Sequence, residues 1–105
     1  VSVVGTPLYM SPEQARGAEL DERSDIYSAG VMMFEMFTGQ VPFRAREVAE
    51  IMQMHLNEPP PDPRGLRPEM PASLAEIILA CLAKHRAQRP ATAHDLDRWL
   101  MRVRV

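Results

Sequence analysis

One stretch constrains this chain more than any other, because the segment from Ile26 to Phe37 is apolar on nearly every side of a helix. Its apolar members are Ile26, Tyr27, Ala29, Val31, Met32, Met33, Phe34, Met36 and Phe37. A helix that is apolar all round is buried all round, and this one is shorter than the ~18 residues that a membrane span requires. The pattern therefore predicts a buried central helix over 24–39, capped by Ser24 or Asp25 and ended by Gly39.

Two shorter helical signals lie on either side of this segment. Ser11-Pro12-Glu13 predicts a helix start, with serine as the cap, proline at the first position and an acid in the first turn. That helix is expected to end at Gly17. Residues 45–57 carry apolar side chains at helical spacing, which predicts an amphipathic surface helix.

The rest of the chain predicts a connector and two further helices. The stretch 58–71 holds six prolines in fourteen residues and predicts a stiff linker rather than a helix. Docking of its P-x-x-P motifs to an SH3-like groove is the alternative. Residues 73–103 predict the last two helices, with Ser73 and Thr92 as their caps. Because no useful strand alternation occurs, the chain is predicted to be all-α, with about five helices.

Composition excludes several classes of function. The net charge of −2 argues against a protein that binds nucleic acid by neutralising phosphates. The single cysteine, Cys81, cannot form an intrachain disulfide, so a reducing compartment is expected. The five glycines are scattered, whereas a phosphate-binding loop needs them close together. With no long apolar run, we expect a cytoplasmic protein, whose parent can be membrane-anchored through segments outside this chain.

Three separated motifs carry a resemblance to a known family. "GTPLYMSPE", "SDIYSAGVMMFEMFTGQVPF" and "RAQRPATAHDL" occur in this order. In order and spacing the chain resembles the C-terminal lobe of bacterial serine/threonine protein kinases of the eukaryotic type. The resemblance covers essentially the whole chain and implies the helical C-terminal subdomain of the kinase fold. Residues 1–17 then correspond to the end of the activation segment, where Ser11 replaces the alanine of the family's A-P-E motif.

The resemblance implies roles for individual residues near the start of the chain. Thr6 corresponds to the threonine that helps to select Ser/Thr acceptors. Pro7 and Met10 correspond to residues that line the pocket for the substrate residue after the acceptor. Glu13 corresponds to an acid that pairs with a distant arginine, and Arg89 stands at that arginine's place. From the residues alone, these last two are equally well read as unrelated surface charges.

Two further positions receive roles in the same way. Asp25 corresponds to the aspartate that hydrogen-bonds the catalytic loop, although a simple helix cap explains it equally well. Ser2 lies where activation-loop phosphorylation often occurs, with an unmodified loop serine as the alternative. His85-Arg86-Ala87 only superficially matches the catalytic H-R-D motif, because its aspartate is absent. No metal site is expected, since too few ligands accompany Cys81 and His85.

The resemblance implies that the parent protein transfers the γ-phosphoryl group of ATP, with Mg²⁺, to Ser or Thr of a protein substrate. The glycine loop, strand lysine, catalytic aspartate and metal ligands of that reaction cannot be assigned in this chain. We therefore expect substrate positioning and scaffolding here, and no activity without the missing N-terminal part of the kinase. A non-catalytic helical interaction module and a pseudokinase remnant are the alternatives. Exposed apolar surface of the central helix, around Met32, Met33 and Phe34, predicts self-association.

Overall fold

The computed structural model describes residues 7–103, and it contains helices joined by turns and short loops. The α-helices are α1 (Pro12–Arg16), α2 (Glu22–Thr38), α3 (Val48–Asn57), α4 (Pro63–Leu66), α5 (Ala72–Cys81) and α6 (Ala93–Leu100). Two single turns of 3-10 helix lie at Pro7–Tyr9 and Arg86–Gln88. No strand occurs among the described residues, so the all-α prediction is confirmed. In this part of the chain no helix is long and apolar enough to cross a membrane.

The central helix α2 begins two residues before its predicted start. The side chain of Asp21 accepts a hydrogen bond from the backbone N–H of Arg23 at 2.9 Å, which makes Asp21 the cap. The predicted cap at Ser24 or Asp25 is therefore wrong, because an earlier acid in the polar loop already satisfies the first free N–H groups. The end is as predicted, since Gly39 takes the left-handed conformation with φ of 81°.

Only part of the α2 surface is buried. Tyr27, Val31 and Phe34 are fully buried, whereas Met32 and Met36 are 53% and 71% exposed. The prediction that this helix is buried on every side is therefore wrong. The exposed apolar surface expected around Met32 and its neighbours is present at Met32 and Met36, and Phe34 is not part of it. The reason is that no other element within residues 7–103 covers the face that carries the two methionines. These two methionines are large apolar side chains that remain in contact with solvent.

The proline-rich connector contains a helix, contrary to prediction. Asp62 accepts a hydrogen bond from the N–H of Arg64 at 2.9 Å, and Pro63 occupies the first position of α4. Aspartate followed by proline is a strong helix start, and here it outweighs the surrounding prolines for one turn. The surface helix α3 starts at Val48, three residues later than predicted.

The last two helices differ in how they begin. Helix α5 starts at Ala72 with Pro71 in the cap position and no side-chain cap, so Ser73 does not have its predicted role. In α6 the hydroxyl of Thr92 accepts the N–H of Asp95 at 3.0 Å, as predicted.

The core lies where α2 packs against α5. Tyr27, Val31 and Phe34 of α2 meet Leu74 and Ile78 of α5 in one buried cluster. The two backbones approach closely at Gly30, where an added Cβ atom would lie 2.7 Å from Cβ of Cys81 and 3.3 Å from Cδ2 of Leu82. Glycine is therefore required where α2 crosses α5 because a larger residue would clash, and not because the backbone takes an unusual conformation.

Gly30→Ala tests this close approach. Although alanine favours a helix by about 1 kcal/mol over glycine, we expect overpacking to lower the free energy of unfolding by roughly 1–3 kcal/mol. The measurement is urea denaturation followed by circular dichroism. Gly65→Ala is the matched control, because nothing lies within 4 Å of a Cβ atom there. Equal stability of the two variants would contradict the packing argument.

Candidate functional site

The short helix α1 places an acid inside the protein. The hydroxyl of Ser11 accepts the N–H of Gln14 at 3.2 Å, and the Gln14 side chain accepts the N–H of Ser11 at 2.8 Å. This reciprocal cap fixes the start of the helix, and Gly17 ends it with φ of 70°. The same turn directs Glu13 into the interior, where the residue is only 1% exposed.

Glu13 and Arg89, separated by 76 positions, form a buried bidentate ion pair. Nη2 of Arg89 donates to Oε1 of Glu13 at 2.7 Å, and Nη1 donates to Oε2 at 2.8 Å. The arginine is 3% exposed. Two parallel charge-assisted bonds are the strongest arrangement available to this pair of side chains. The structure thus brings together the two residues that the sequence suggested as partners.

Backbone carbonyl groups accept the other donors of Arg89. Its guanidinium group donates to the carbonyls of Arg23 at 2.9 Å, Ala83 at 2.8 Å and Lys84 at 3.2 Å. It also lies over the ring of Tyr27, 5.0 Å from the centroid. The arginine therefore links α1, the start of α2 and the loop after α5 at one point.

Ionisation of Glu13 depends on its partners. Burial opposes the charged form of the carboxyl group, but hydrogen bonds from Arg89 and Ser24 and the charge of Arg89 outweigh it. Together they hold the pKa of Glu13 at about 2. The Ser24 hydroxyl donates to Oε2 at 2.6 Å. Ser24 is thus a partner of the ion pair rather than the helix cap it was predicted to be.

The single turn of Pro7–Tyr9 precedes α1 and is held at both ends. The carbonyl of Tyr9 accepts the Ser28 hydroxyl at 2.7 Å, and the Tyr9 hydroxyl donates to the carboxylate of Glu35. That hydrogen bond to Glu35, together with burial, raises the pKa of Tyr9. At the other end, the carbonyl of Pro7 accepts from Nε2 of His55 at 3.0 Å. The two residues predicted to shape a pocket, Pro7 and Met10, are both half-buried.

His55 was not anticipated from the sequence as part of this site. It is fully buried, and Nδ1 lies 2.7 Å from the hydroxyl of Tyr27. Burial, reinforced by the charge of Lys84, lowers the pKa of His55 to about 4. The available signal was its position four residues after Ile51, on the apolar face of α3.

The other predicted site residues lie apart from this network or outside the described range. Asp25 is exposed on the first turn of α2. Thr6 and Ser2 fall outside the described residues. His85 is exposed, and the guanidinium of Arg86 donates to the Asp21 carboxylate at 3.1 Å. His85 therefore stands just before the 3-10 turn of Arg86–Gln88, and Arg86 and Ala87 are its first two residues.

The acidic residues and the single lysine of the chain were the candidates for contacts to Mg²⁺ and phosphate. No group of three or more His, Cys, Asp or Glu residues within 7–103 could hold a metal ion. Nζ of Lys84 donates to the Met54 carbonyl at 3.0 Å and lies 4.4 Å from the centroid of the Phe43 ring. This lysine is thus engaged inside the protein. Burial, with the charge of Arg89, lowers its pKa to about 8 despite the opposing effect of Glu58.

The all-helical structure of residues 7–103 agrees with the helical C-terminal lobe of the protein kinase fold that the sequence resembles. The sequence matches the family model for the protein kinase domain over residues 1–100. The chain therefore belongs to the protein kinase family, and its relatives are bacterial serine/threonine kinases.

Three of these relatives illustrate the similarity. The chain is 47% identical over 103 residues to serine/threonine-protein kinase pkn3 of Myxococcus xanthus, covering 96% of this chain and 19% of that protein. It is 38% identical over 102 residues to PknB of Mycobacterium tuberculosis, covering 97% and 16%. It is 40% identical over 96 residues to PrkC of Bacillus subtilis, covering 91% and 15%. The chain thus spans less than a fifth of the length of these relatives.

The lowered pKa values of Glu13 and His55 predict acid sensitivity. Both groups bind a proton more readily in the unfolded chain, so stability is lost as the pH falls. For His55 the window runs from about 6.5 to about 4, and for Glu13 from about 4.5 to about 2. As the pH falls through the first window, protonation of His55 should lower the free energy of unfolding by roughly 3 kcal/mol.

Urea denaturation at a series of pH values checks this prediction. His55→Gln should flatten the pH dependence of the unfolding free energy between pH 6.5 and 4, and leave the decline at lower pH. His94→Gln controls for the substitution itself, because His94 is exposed. An unchanged slope in His55→Gln would show that the buried imidazole does not govern acid stability.

Proposed function

We propose that this chain forms the substrate-positioning and scaffolding half of a serine/threonine protein kinase. In the complete enzyme, the γ-phosphoryl group of ATP passes to a Ser or Thr of a protein substrate. The observation that carries the proposal is the anchoring of the Pro7–Tyr9 turn. It is bonded to α2 through Ser28 and Glu35 and to α3 through His55. A loop held in this way presents a fixed surface to an extended peptide.

Individual roles follow from this proposal. Thr6 would contact the region of the acceptor hydroxyl, while Pro7 and Met10 would contact the substrate residue after the acceptor. The pair of Glu13 and Arg89 has a structural role, because it is buried and has no access to a substrate. Preorganisation of this kind lowers the reaction barrier by holding the reactants in position.

Parts of the lobe are proposed to face the rest of the kinase. Asp25 is exposed at the start of α2, where its carboxylate is free to accept hydrogen bonds from a catalytic loop. Met32 and Met36 lie one turn apart on α2 and are both exposed. Self-association of the isolated chain through this face stays a prediction, as does phosphorylation at Ser2.

The alternative is a helical interaction module or pseudokinase remnant that binds proteins without phosphorylating them. The observation that favours this alternative is the exposed pair Met32 and Met36, because an exposed apolar surface is a place where another protein can bind. The two proposals differ in catalysis, because the interaction module has no reaction to perform when the rest of a kinase domain is present.

Phosphoryl transfer by two proteins of different length separates these proposals. Residues 1–105 alone, given ATP, Mg²⁺ and a library of Ser- and Thr-containing peptides, should transfer no radiolabelled phosphate, because on this proposal the groups required for transfer lie in the N-terminal part of the kinase. The same chain extended by its natural N-terminal sequence should do so. Activity of residues 1–105 that persists through purification would overturn the proposal that this chain only positions the substrate. Peptide binding without transfer by the extended protein would favour the interaction module.

A further inference from the structure

We propose that His55 is a positioning residue that fixes the Pro7 carbonyl, and with it the substrate-contacting turn, through a hydrogen-bond relay from Tyr27. The inference rests on the proposed function, because it treats Pro7–Tyr9 as the turn that meets the substrate. It assigns a residue of α3 to the positioning of the substrate, which was proposed above for residues of the Pro7–Tyr9 turn and its neighbours alone. The relay runs from α2 through the imidazole ring of α3 to the loop.

The geometry assigns one tautomer to the imidazole ring. The Pro7 carbonyl has no proton, so the 3.0 Å contact requires Nε2 of His55 to carry the hydrogen. Nδ1 is then an acceptor, and the Tyr27 hydroxyl at 2.7 Å is its donor. Along the relay the Tyr27 hydroxyl donates to Nδ1 of His55, and Nε2–H of His55 donates to the Pro7 carbonyl. A neutral ring with the hydrogen on Nε2 satisfies every donor and acceptor in the chain of bonds.

The surroundings hold the ring in this orientation. Tyr27 and Phe43 each contact the imidazole edge-on, with centroids at 5.5 Å and 5.2 Å and interplanar angles of 67° and 79°. All three side chains are essentially inaccessible to solvent. The Nζ atom of Lys84 lies over the ring of Phe43, and its positive charge disfavours a second one on His55. These contacts hold the ring in place, and with a pKa of about 4 it is neutral at pH 7.

The relay acts on the first half of the turn, where the His55 ring bonds the Pro7 carbonyl and also forms a backbone hydrogen bond at Leu8. The Pro7 carbonyl also accepts the Met10 N–H at 3.2 Å, so it organises the backbone of the whole turn. The Tyr9 end is held independently by Ser28 and Glu35. Loss of the histidine should therefore release the Pro7 end while the Tyr9 end stays in place. The substrate residue that meets Pro7 and Met10 should then be discriminated less sharply.

The first test uses the 105-residue chain and concerns structure alone. We expect the imidazole ¹⁵N resonances of His55 to report a single Nε2–H tautomer at neutral pH. In Tyr27→Phe, which keeps the ring but removes the donor, the tautomer should stay Nε2–H while the Nδ1 resonance moves to the position of a nitrogen without a hydrogen bond. In His55→Leu, amide exchange of Met10 should accelerate about tenfold, while amides in the middle of α5 stay unchanged. An Nδ1–H tautomer, or unchanged exchange at Met10, would overturn the relay.

The second test uses the complete kinase and peptides that differ only in the residue after the acceptor. His55→Leu should reduce the preference among these peptides by about fivefold or more through KM, with a smaller change in kcat. His55→Gln, which retains a donor near Nε2, should recover part of this preference, and His94→Gln should match the unmodified enzyme. A uniform fall in activity with unchanged preference would assign His55 a merely structural role.

The two tests separate failure of this inference from failure of the proposed function. If the unmodified kinase phosphorylates no peptide, the proposed function is overturned, while the tautomer and exchange measurements still decide whether the relay exists. If the kinase is active and its peptide preference is indifferent to His55, the positioning role alone is overturned.

Discussion

The structure depends on one buried ion pair, between Glu13 and Arg89. A carboxylate and a guanidinium group removed from water are costly unless each is paired and fully hydrogen-bonded. Here the cost is offset by a bidentate contact, by the Ser24 hydroxyl and by three backbone carbonyls. Because these partners come from separate parts of the chain, the pair can be satisfied only when α1, α2 and the loop after α5 are all in place.

This constraint explains how a segment of few internal contacts keeps its shape. Helix α1 spans only Pro12–Arg16, which is too short to be stable alone in water. Its reciprocal cap fixes its start, the ion pair anchors its first turn in the interior, and Gly17 ends it. The Pro7–Tyr9 turn before it is held by α2 and α3. The loop that we propose to meet the substrate is thus positioned by Ser28 and Glu35 at its Tyr9 end and by His55 at its Pro7 end. The ion pair of Glu13 anchors the helix α1 that follows it.

Much of the fold could be predicted from local signals. Helix ends were predictable where one residue type satisfies the free backbone groups. Hydroxyl side chains cap the starts at Ser11 and Thr92, and glycine takes the left-handed conformation at Gly17 and Gly39. The errors arose where two local signals compete. Asp21 precedes Ser24 as a cap for α2, and Asp62 starts a helix within a proline-rich stretch.

The site was harder to predict than the fold, because its contacts join distant residues. Glu13 and Arg89 could be paired only through the resemblance to a family, since composition and spacing leave both as ordinary surface charges. His55 gave the signal of a core position on an amphipathic helix, and periodicity does not distinguish a buried hydrogen-bonding residue from an apolar one. Burial of α2 on all sides was overestimated, because its composition does not reveal which neighbouring elements are present.

The most direct test of the account is a double-mutant cycle with Glu13→Gln and Arg89→Met, measured as free energies of unfolding. Each single change should cost about 3–5 kcal/mol, mostly by leaving its partner buried and unpaired. The coupling energy should be at least about 2 kcal/mol. The exposed pair Arg67–Glu69, 54% and 72% accessible, is the matched control and should couple by less than about 1 kcal/mol. Equally weak coupling for both pairs would contradict the claim that the buried pair holds this lobe together.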